Sequence, residues 1–230
     1  MTNSEYPTYR ILLEATADGS HTLFVPSLNE HYHSTFGAVQ ESNHVFIDAG
    51  FSYVSKHQEI NILEVGFGTG LNAFLTALSK GDRRISYTAL EAYPVQKAII
   101  DCLNYPEMNG LSDPSGIFQQ LHSVGWERFI EIVPGFNLRK IHTKIEVCDL
   151  PDNFFHLVYF DAFGPNVQPE MWTDEIFRKI HRATAPGGIL VTYSSKGLVK
   201  RSLRAAGFGI ERLPGAAGKR HMLRALKNES

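Results

Sequence analysis

The chain has 230 residues, 43% of them hydrophobic and 20% charged, with a formal net charge of −2. That length suits one sizeable α/β domain with a little left over, and no apolar run approaches the ~20 residues of a membrane span. Two cysteines, Cys102 and Cys148, form neither a disulfide framework nor a metal-ligand spacing; with no secretory leader in MTNSEYPTYR, a cytoplasmic location is expected.

Residues 6–26 read as a hairpin. Tyr9–Glu14 and His21–Val25 flank Ala17-Asp18-Gly19-Ser20, whose Asp-Gly pair is a strong turn signal. Pro26 ends it, 29–36 is loop-like, and Ala38–Phe51 is predicted helical. Residues 1–58 are therefore expected to form an N-terminal hairpin and helix packed on a core domain of residues 59–230. His31, His33, Glu41 and His44 invite a metal reading, but two histidines two apart with no fixed third ligand do not define a site. No metal is expected.

Asn61–Asn72, NILEVGFGTGLN, is the densest motif. The run Ile62-Leu63-Glu64-Val65 suits a buried parallel strand, and Leu71-Asn72-Ala73-Phe74-Leu75 starts a helix. Gly66, Gly68 and Gly70 lie between them. A dinucleotide fingerprint needs G-x-G-x-x-G, and here Leu71 takes the place of the last glycine. No G-K-[ST] follows, so it is not a P-loop. The E-x-G-x-G-x-G form fits S-adenosylmethionine (SAM), which has no phosphate to cradle; its methionine end takes backbone contacts and its ribose takes a carboxylate.

From Glu59 onward, strand and helix alternate, as in a parallel sheet covered on both faces. Strands are predicted at 60–65, 85–90, 143–148, 155–160 and 189–193, and helices near 71–80, 94–104, 117–131, 170–183 and 196–206. Gly207–Leu213 and His221–Ala225 are two further strands whose short connection excludes a crossover helix, so they must pair antiparallel. The expected fold is a mostly parallel seven-stranded α/β sheet with its last strand antiparallel. This is the Rossmann-like arrangement of class I SAM-dependent methyltransferases, reached without the glycine motif.

Ligands of open α/β sheets bind beyond the carboxyl ends of the strands, and there the chain places Glu64, Glu91, Asp149 and Asp161. Glu91 ends the second strand, where a carboxylate can accept both ribose hydroxyls. Asp149 is positioned to take the exocyclic amine of an adenine, or else to cap a helix. Phe160-Asp161-Ala162-Phe163-Gly164-Pro165-Asn166 reads as an irregular loop over a pocket. If the acceptor of a methyl group is an amine, Asp161 would attract and orient its ammonium and help take its proton, because only the neutral amine carries a lone pair.

Charge is distributed unevenly. From Lys196 to the end, nine basic residues face two acidic ones, a net +7, which leaves −9 for the other 195 residues. A polyanionic partner and ordinary solvated faces both account for this.

Several segments carry a family likeness: VGFGTGLNAFLTA (65–77), LEAYP (90–94), FDAFGPNVQPEMWT (160–173), APGGILVTYSSKGLVKRSLRAAGF (185–208), GKRHML (218–223) and EHYHSTFGAVQESNHVFIDAG (30–50). Together they resemble the tRNA wobble-uridine methyltransferases, the MnmC methyltransferase domain, called MnmD when it stands alone. The resemblance implies methyl transfer from SAM to the amine of 5-aminomethyluridine, often 2-thiolated, giving 5-methylaminomethyluridine in the tRNA anticodon. It implies cofactor contacts from Gly66, Gly68, Gly70 and Glu91, with Asp161 at the amine; Glu64, Asn72 and Asp149 are expected to join the cofactor site. Tyr32, Phe163, Lys200, Arg201, Lys219 and Arg220 are expected to face tRNA. Two-domain relatives carry a flavin-dependent oxidase after the methyltransferase; this chain is expected to work without one, on a precursor supplied separately. Two rivals share part of the pattern: a small-molecule amine methyltransferase or polyamine aminopropyltransferase, and a non-catalytic RNA-binding module.

Overall fold

The computed structural model describes residues 10–229. It begins with a small antiparallel sheet of β1 (Leu12–Ala15), β2 (His21–Val25) and β3 (Glu30–His31), in which Leu12 pairs with Phe24 and Ala15 with His21. The predicted start of the first strand at Tyr9 lies outside the described residues. Asp18 organises the turn. One carboxylate oxygen accepts from the Ser20 amide at 2.9 Å, and the other from the Gln40 amide at 3.0 Å. That second bond ties the hairpin to α1 (Ala38–Ser42), which runs directly into a π-type turn over Asn43–Phe51. Val45, Phe46 and Phe51 bury their side chains against the core.

The central sheet contains β4 (Glu59–Val65), β5 (Arg84–Glu91), β6 (Ile130–Val133), β7 (Phe136–His142), β8 (Phe155–Phe160), β9 (Thr184–Thr192), β10 (Gly209–Pro214) and β11 (His221–Leu226). Their spatial order is β10-β11-β9-β8-β4-β5-β7-β6. Strands β7, β5, β4, β8 and β9 are parallel, and β11 runs antiparallel to both β9 and β10. β4 shows why this sheet is central. Ile62 enters the apolar cluster on one face with Phe74, Tyr87 and Tyr159, while Leu63 and Val65 enter the other with Phe160, Trp172 and Phe177. A strand buried on both sides carries a continuous apolar run, as this one does over Ile62–Val65 apart from Glu64. α2 (Leu71–Ser79) covers the first face; α3 (Lys97–Ile100) and α4 (Ile117–Ser123) are short; α5 (Asp174–Ala183) and α6 (Gly197–Ala205) cover the second. Among the described residues, no helix is long and apolar enough to cross a membrane.

The sheet has eight strands, not seven, and the expected strand at 143–148 is absent. Its place is taken by the hairpin β6–β7, turning at Pro134-Gly135, so the expected helix over 117–131 stops at Ser123. Phe136, Leu138 and Lys140 all point inward along β7, a period of two that a lysine disguises. Lys140 is 2% exposed, and its ammonium donates to the Leu121 and His122 carbonyls at the end of α4, at 2.8 and 3.2 Å. Those carbonyls have no partners within their own helix, which is why a buried lysine is tolerated there. The helix expected over 94–104 forms only at Lys97–Ile100.

Candidate active site

A cavity of about 390 Å³ opens at the carboxyl ends of β4, β5 and β8. The glycine loop forms its floor. Gly66 sits at φ +93°, and a Cβ there would lie 2.7 Å from the backbone oxygen of Asp161; only glycine lets the two strand ends approach so closely. Gly68, at φ +50°, faces the ring of Tyr32.

Three groups pin this loop. Glu91 accepts from the Gly68 amide and from the Tyr93 amide, both at 2.8 Å, one on each carboxylate oxygen. The His122 ring donates through Nε2 to the Thr69 carbonyl at 3.1 Å, and the His33 ring shares a 2.8 Å hydrogen bond with the Thr69 hydroxyl. Burial lowers the pKa of both histidines to about 4, so at neutral pH they serve as uncharged braces. Glu91 thus holds the loop as well as facing the cavity, a double role invisible in the sequence. Burial raises its pKa, and the amide bonds from Gly68 and Tyr93 oppose that. Each of its oxygens keeps a second lone pair for a hydroxyl donor.

Asn72, in the first turn of α2, bridges two acids. Its Nδ2 donates to Glu64 Oε1 at 3.0 Å and to Asp161 Oδ2 at 2.8 Å. Burial holds the Glu64 carboxyl well above the usual range despite the Asn72 bond. Asp161 is pushed up to about 7, chiefly by burial; the Asn72 bond and Lys219 pull it down, and the charge of Glu41 pushes it up. Asn72 Oδ1 is buried with no hydrogen-bond partner, and the Tyr87 hydroxyl lies beside the Glu64 carboxyl. Asp161 is therefore a carboxyl that changes charge near neutrality, beside a neighbour whose burial also favours its protonated form.

The loop after Asp161 is fastened by its backbone. Tyr193 donates its hydroxyl to the Ala162 carbonyl at 2.9 Å, and Trp172 donates Nε1 to the Phe163 carbonyl at 2.8 Å. Phe163 meets Tyr32 edge-on, with centroids 5.0 Å apart. Tyr32 and Phe163 both line the cavity. So do Gly66, Gly68, Asn72, Glu91 and Asp161. Glu64 and Gly70 lie behind the loop, Gly70 against His122.

Asp149 is the residue the structure does not bring here. It is exposed and outside the cavity lining, because β7 ends at His142 and 143–148 is a turn. Thr143, Lys144, Ile145 and Glu146 reach the cavity in its stead.

The basic residues separate into three groups. Lys219 enters the cavity, where its ammonium donates to Glu41 Oε1 at 2.5 Å. Arg224 and Lys227 are internal ties: Arg224 bonds Glu211 and lies over Tyr53, and Lys227 donates to the His181 and Thr184 carbonyls. Arg212 bonds the His221 ring at 3.1 Å, and desolvation, with the charges of Arg212, Arg220 and Lys200, lowers the His221 pKa. Arg201 is exposed on the same helix as Lys200. The charge excess of the tail thus overstates the basic surface. His31 pairs with Glu14 at 3.0 Å; among the described residues, no group of three or more His, Cys, Asp or Glu side chains is placed to hold a metal ion.

The residues present fit SAM. Six acids line the cavity (Glu30, Glu41, Glu91, Glu146, Asp161 and Glu170) against two lysines, Lys144 and Lys219. Such a lining repels a pyrophosphate and suits a cationic sulfonium. Asn72, which lines the cavity, has a buried Oδ1 with no hydrogen-bond partner, and the amino end of an amino acid carries donors. The parallel sheet with its reversed strand, the glycine loop and the strand-end acids define a class I SAM-dependent methyltransferase.

Residues 135–228 match the family model described as S-adenosyl-L-methionine-dependent methyltransferase. The chain is 29% identical over 223 residues to the tRNA 5-methylaminomethyl-2-thiouridine biosynthesis bifunctional protein MnmC of Burkholderia multivorans, covering 88% of this chain and 33% of that protein. It is 31% identical over 214 residues to the MnmC protein of Pseudomonas savastanoi, covering 84% and 31%. Among solved structures it is similar to MNMC2 of Aquifex aeolicus, with a TM-score of 0.77, 25% identity, and coverage of 99% and 72%. A probable spermidine synthase of Corynebacterium glutamicum shares the fold, with a TM-score of 0.55 at 18% identity, covering 100% and 79%. The chain belongs to the family of the MnmC methyltransferase domain. It spans about a third of the length of the curated relatives it matches.

Proposed function

We propose that this protein methylates the amine of a 5-aminomethyl group on the wobble uridine of tRNA, in the cytoplasm, yielding 5-methylaminomethyluridine. One observation carries the reading. An acidic cavity built for cations opens where the chain passes from Lys219, inside it, to Arg220, which is exposed like Arg212 and shares the surroundings of His221 with it and the half-buried Lys200. An amine can enter the cavity while the phosphates of a nucleic acid lie on the basic face outside. A small polyamine would use the first feature and leave the second without a purpose.

Bound SAM would supply an electrophilic methyl group on its sulfonium. Glu91 and the backbone of Gly66 and Gly68 would hold that cofactor, with Thr143–Glu146 closing the end where Asp149 had been expected. Asp161, ionised, would draw in the substrate ammonium and orient it. An incoming cation lowers the Asp161 pKa, so the carboxylate is charged when it is needed. An ammonium has no lone pair, and Asp161 would take its proton as the neutral amine forms. Asn72 would keep the carboxylate aimed through its 2.8 Å bond, and Tyr32 and Phe163 would flank a flat base with aromatic surface. The remaining rate would come from positioning. The test is nucleoside analysis of tRNA bearing 5-aminomethyl-2-thiouridine after incubation with the protein and SAM. The expected result is a mass gain of one methyl group at that nucleoside; binding of SAM without any such gain would sink the reading.

A further inference from the structure

The acceptor half of the cavity already holds an ammonium. Lys219 leaves the turn between β10 and β11, donates to Glu41 at 2.5 Å, and stands 4.1 Å from the centroid of the Tyr193 ring. Glu41 is itself fixed: its side chain is 8% exposed, and its other oxygen accepts the Ser34 amide at 2.8 Å. The Tyr193 ring is fixed through its hydroxyl bond to Ala162. Lys219 and Glu41 both act on the charge of Asp161. An aromatic face with two carboxylates is the standard receptor for a primary ammonium, the class of group the proposed acceptor carries.

We propose that Lys219 is an internal counter-cation that occupies the ammonium subsite of this cavity and sets its specificity against free amines. A small amine gains nothing by replacing one ammonium with another. An acceptor anchored by contacts elsewhere can displace Lys219 or work beside it, drawing on binding energy a free amine lacks. Removing Lys219 leaves Glu41 buried and unpaired, a costly state that an external ammonium relieves. The plain alternative is a structural tie between the N-terminal segment and the C-terminal turn. It predicts lost stability and no new binding.

The inference rests on the reading of the cavity as an amine site, and its test uses no tRNA. Benzylammonium, with benzyl alcohol as the uncharged control, is titrated calorimetrically into wild type, Lys219→Met and the double variant Glu41→Gln/Lys219→Met, all checked for folding by thermal melts. Lys219→Met should bind benzylammonium at least about tenfold more tightly than wild type, and benzyl alcohol no more tightly. The double variant should lose the gain. Lys219→Gln, which keeps a donor toward Glu41, replaces the methionine variant should that one not fold, with a smaller gain expected. Equal affinity in wild type and a folded Lys219 variant overturns the proposal, as does a gain that survives in the double variant or extends to the alcohol. Failure of wild type to methylate tRNA, measured separately, would remove the amine reading without changing what the titration reports.

Discussion

The two halves of the cavity are built in opposite ways. The half proposed for the cofactor comes from strand ends adjacent in the sheet: the 66–70 loop after β4, Glu91 at the end of β5, and the turn after β7. Its contacts are mostly to backbone, and Glu91, His122 and His33 pin it through amides, a carbonyl and a hydroxyl. The acceptor half is gathered from segments far apart in sequence, residues 32–41, 161–171 and 217–219, and is held by side chains such as Glu41, Lys219 and Tyr193. Gly66 and Asn72 join the halves, one by close approach to the Asp161 backbone and one by hydrogen bond. Chemistry shared by a whole fold class can be written locally; the choice of acceptor depends on tertiary assembly.

The largest expected effect falls on the cofactor half. Gly68→Val puts a β-branched side chain at φ +50°, against the Tyr32 ring. SAM affinity should fall by about a hundredfold or more while the sheet stays folded. Calorimetry on the folded variant checks this, and retained affinity would place the cofactor elsewhere. Next comes the acceptor half: Asp161→Asn should lower kcat about 10²-fold and change SAM affinity only a few fold. If SAM binding collapsed as well, the two halves would not be separable as described.

Glu91→Gln sharpens the comparison within the cofactor half. It removes the charge facing the cavity and one of the two acceptors that hold Gly68 and Tyr93. SAM should bind more weakly by about 1–3 kcal/mol, with little change in affinity for tRNA. The smallest effect belongs to the basic face. Lys200→Glu with Arg220→Glu should raise KM for tRNA by roughly three- to tenfold and flatten its salt dependence, leaving SAM affinity intact. A tRNA affinity indifferent to both reversals would make that cluster solvated surface.

The geometry of the glycine-loop side was legible because strand, glycine turn and terminal acid are consecutive in the chain. β4, β5, β8 and β9 follow apolar runs, and the antiparallel β11 follows from a connection too short for a helix. β6–β7 was not legible. Lys140 occupies an inward position that reads as polar, and only its bonds to the carbonyls ending α4 make that position tolerable. Asp149 falls outside the cavity lining for the same reason, since moving one strand moves its terminal acid. Pro134-Gly135 was the available clue, a turn pair between two alternating runs. The role of Lys219 could not be read from its neighbours, because its partner Glu41 lies 178 residues away. Tail charge left a polyanionic partner and solvated faces both open, and the count included Lys219, Arg224 and Lys227, which turn inward to carboxylates and carbonyls.

The central claim is that a carboxyl titrating near neutrality draws in the acceptor amine, and the pH dependence of kcat/KM tests it most directly. Asp161 is raised to about 7 in the free protein, so its charged form grows as pH rises through that value. Wild-type kcat/KM should therefore climb with an inflection near 7, shifted lower in kcat because bound ammonium favours the carboxylate. Asp161→Asn should lose that inflection and show only the slow rise from the amine's own deprotonation. The same inflection in both proteins would contradict the account and move the titrating group elsewhere.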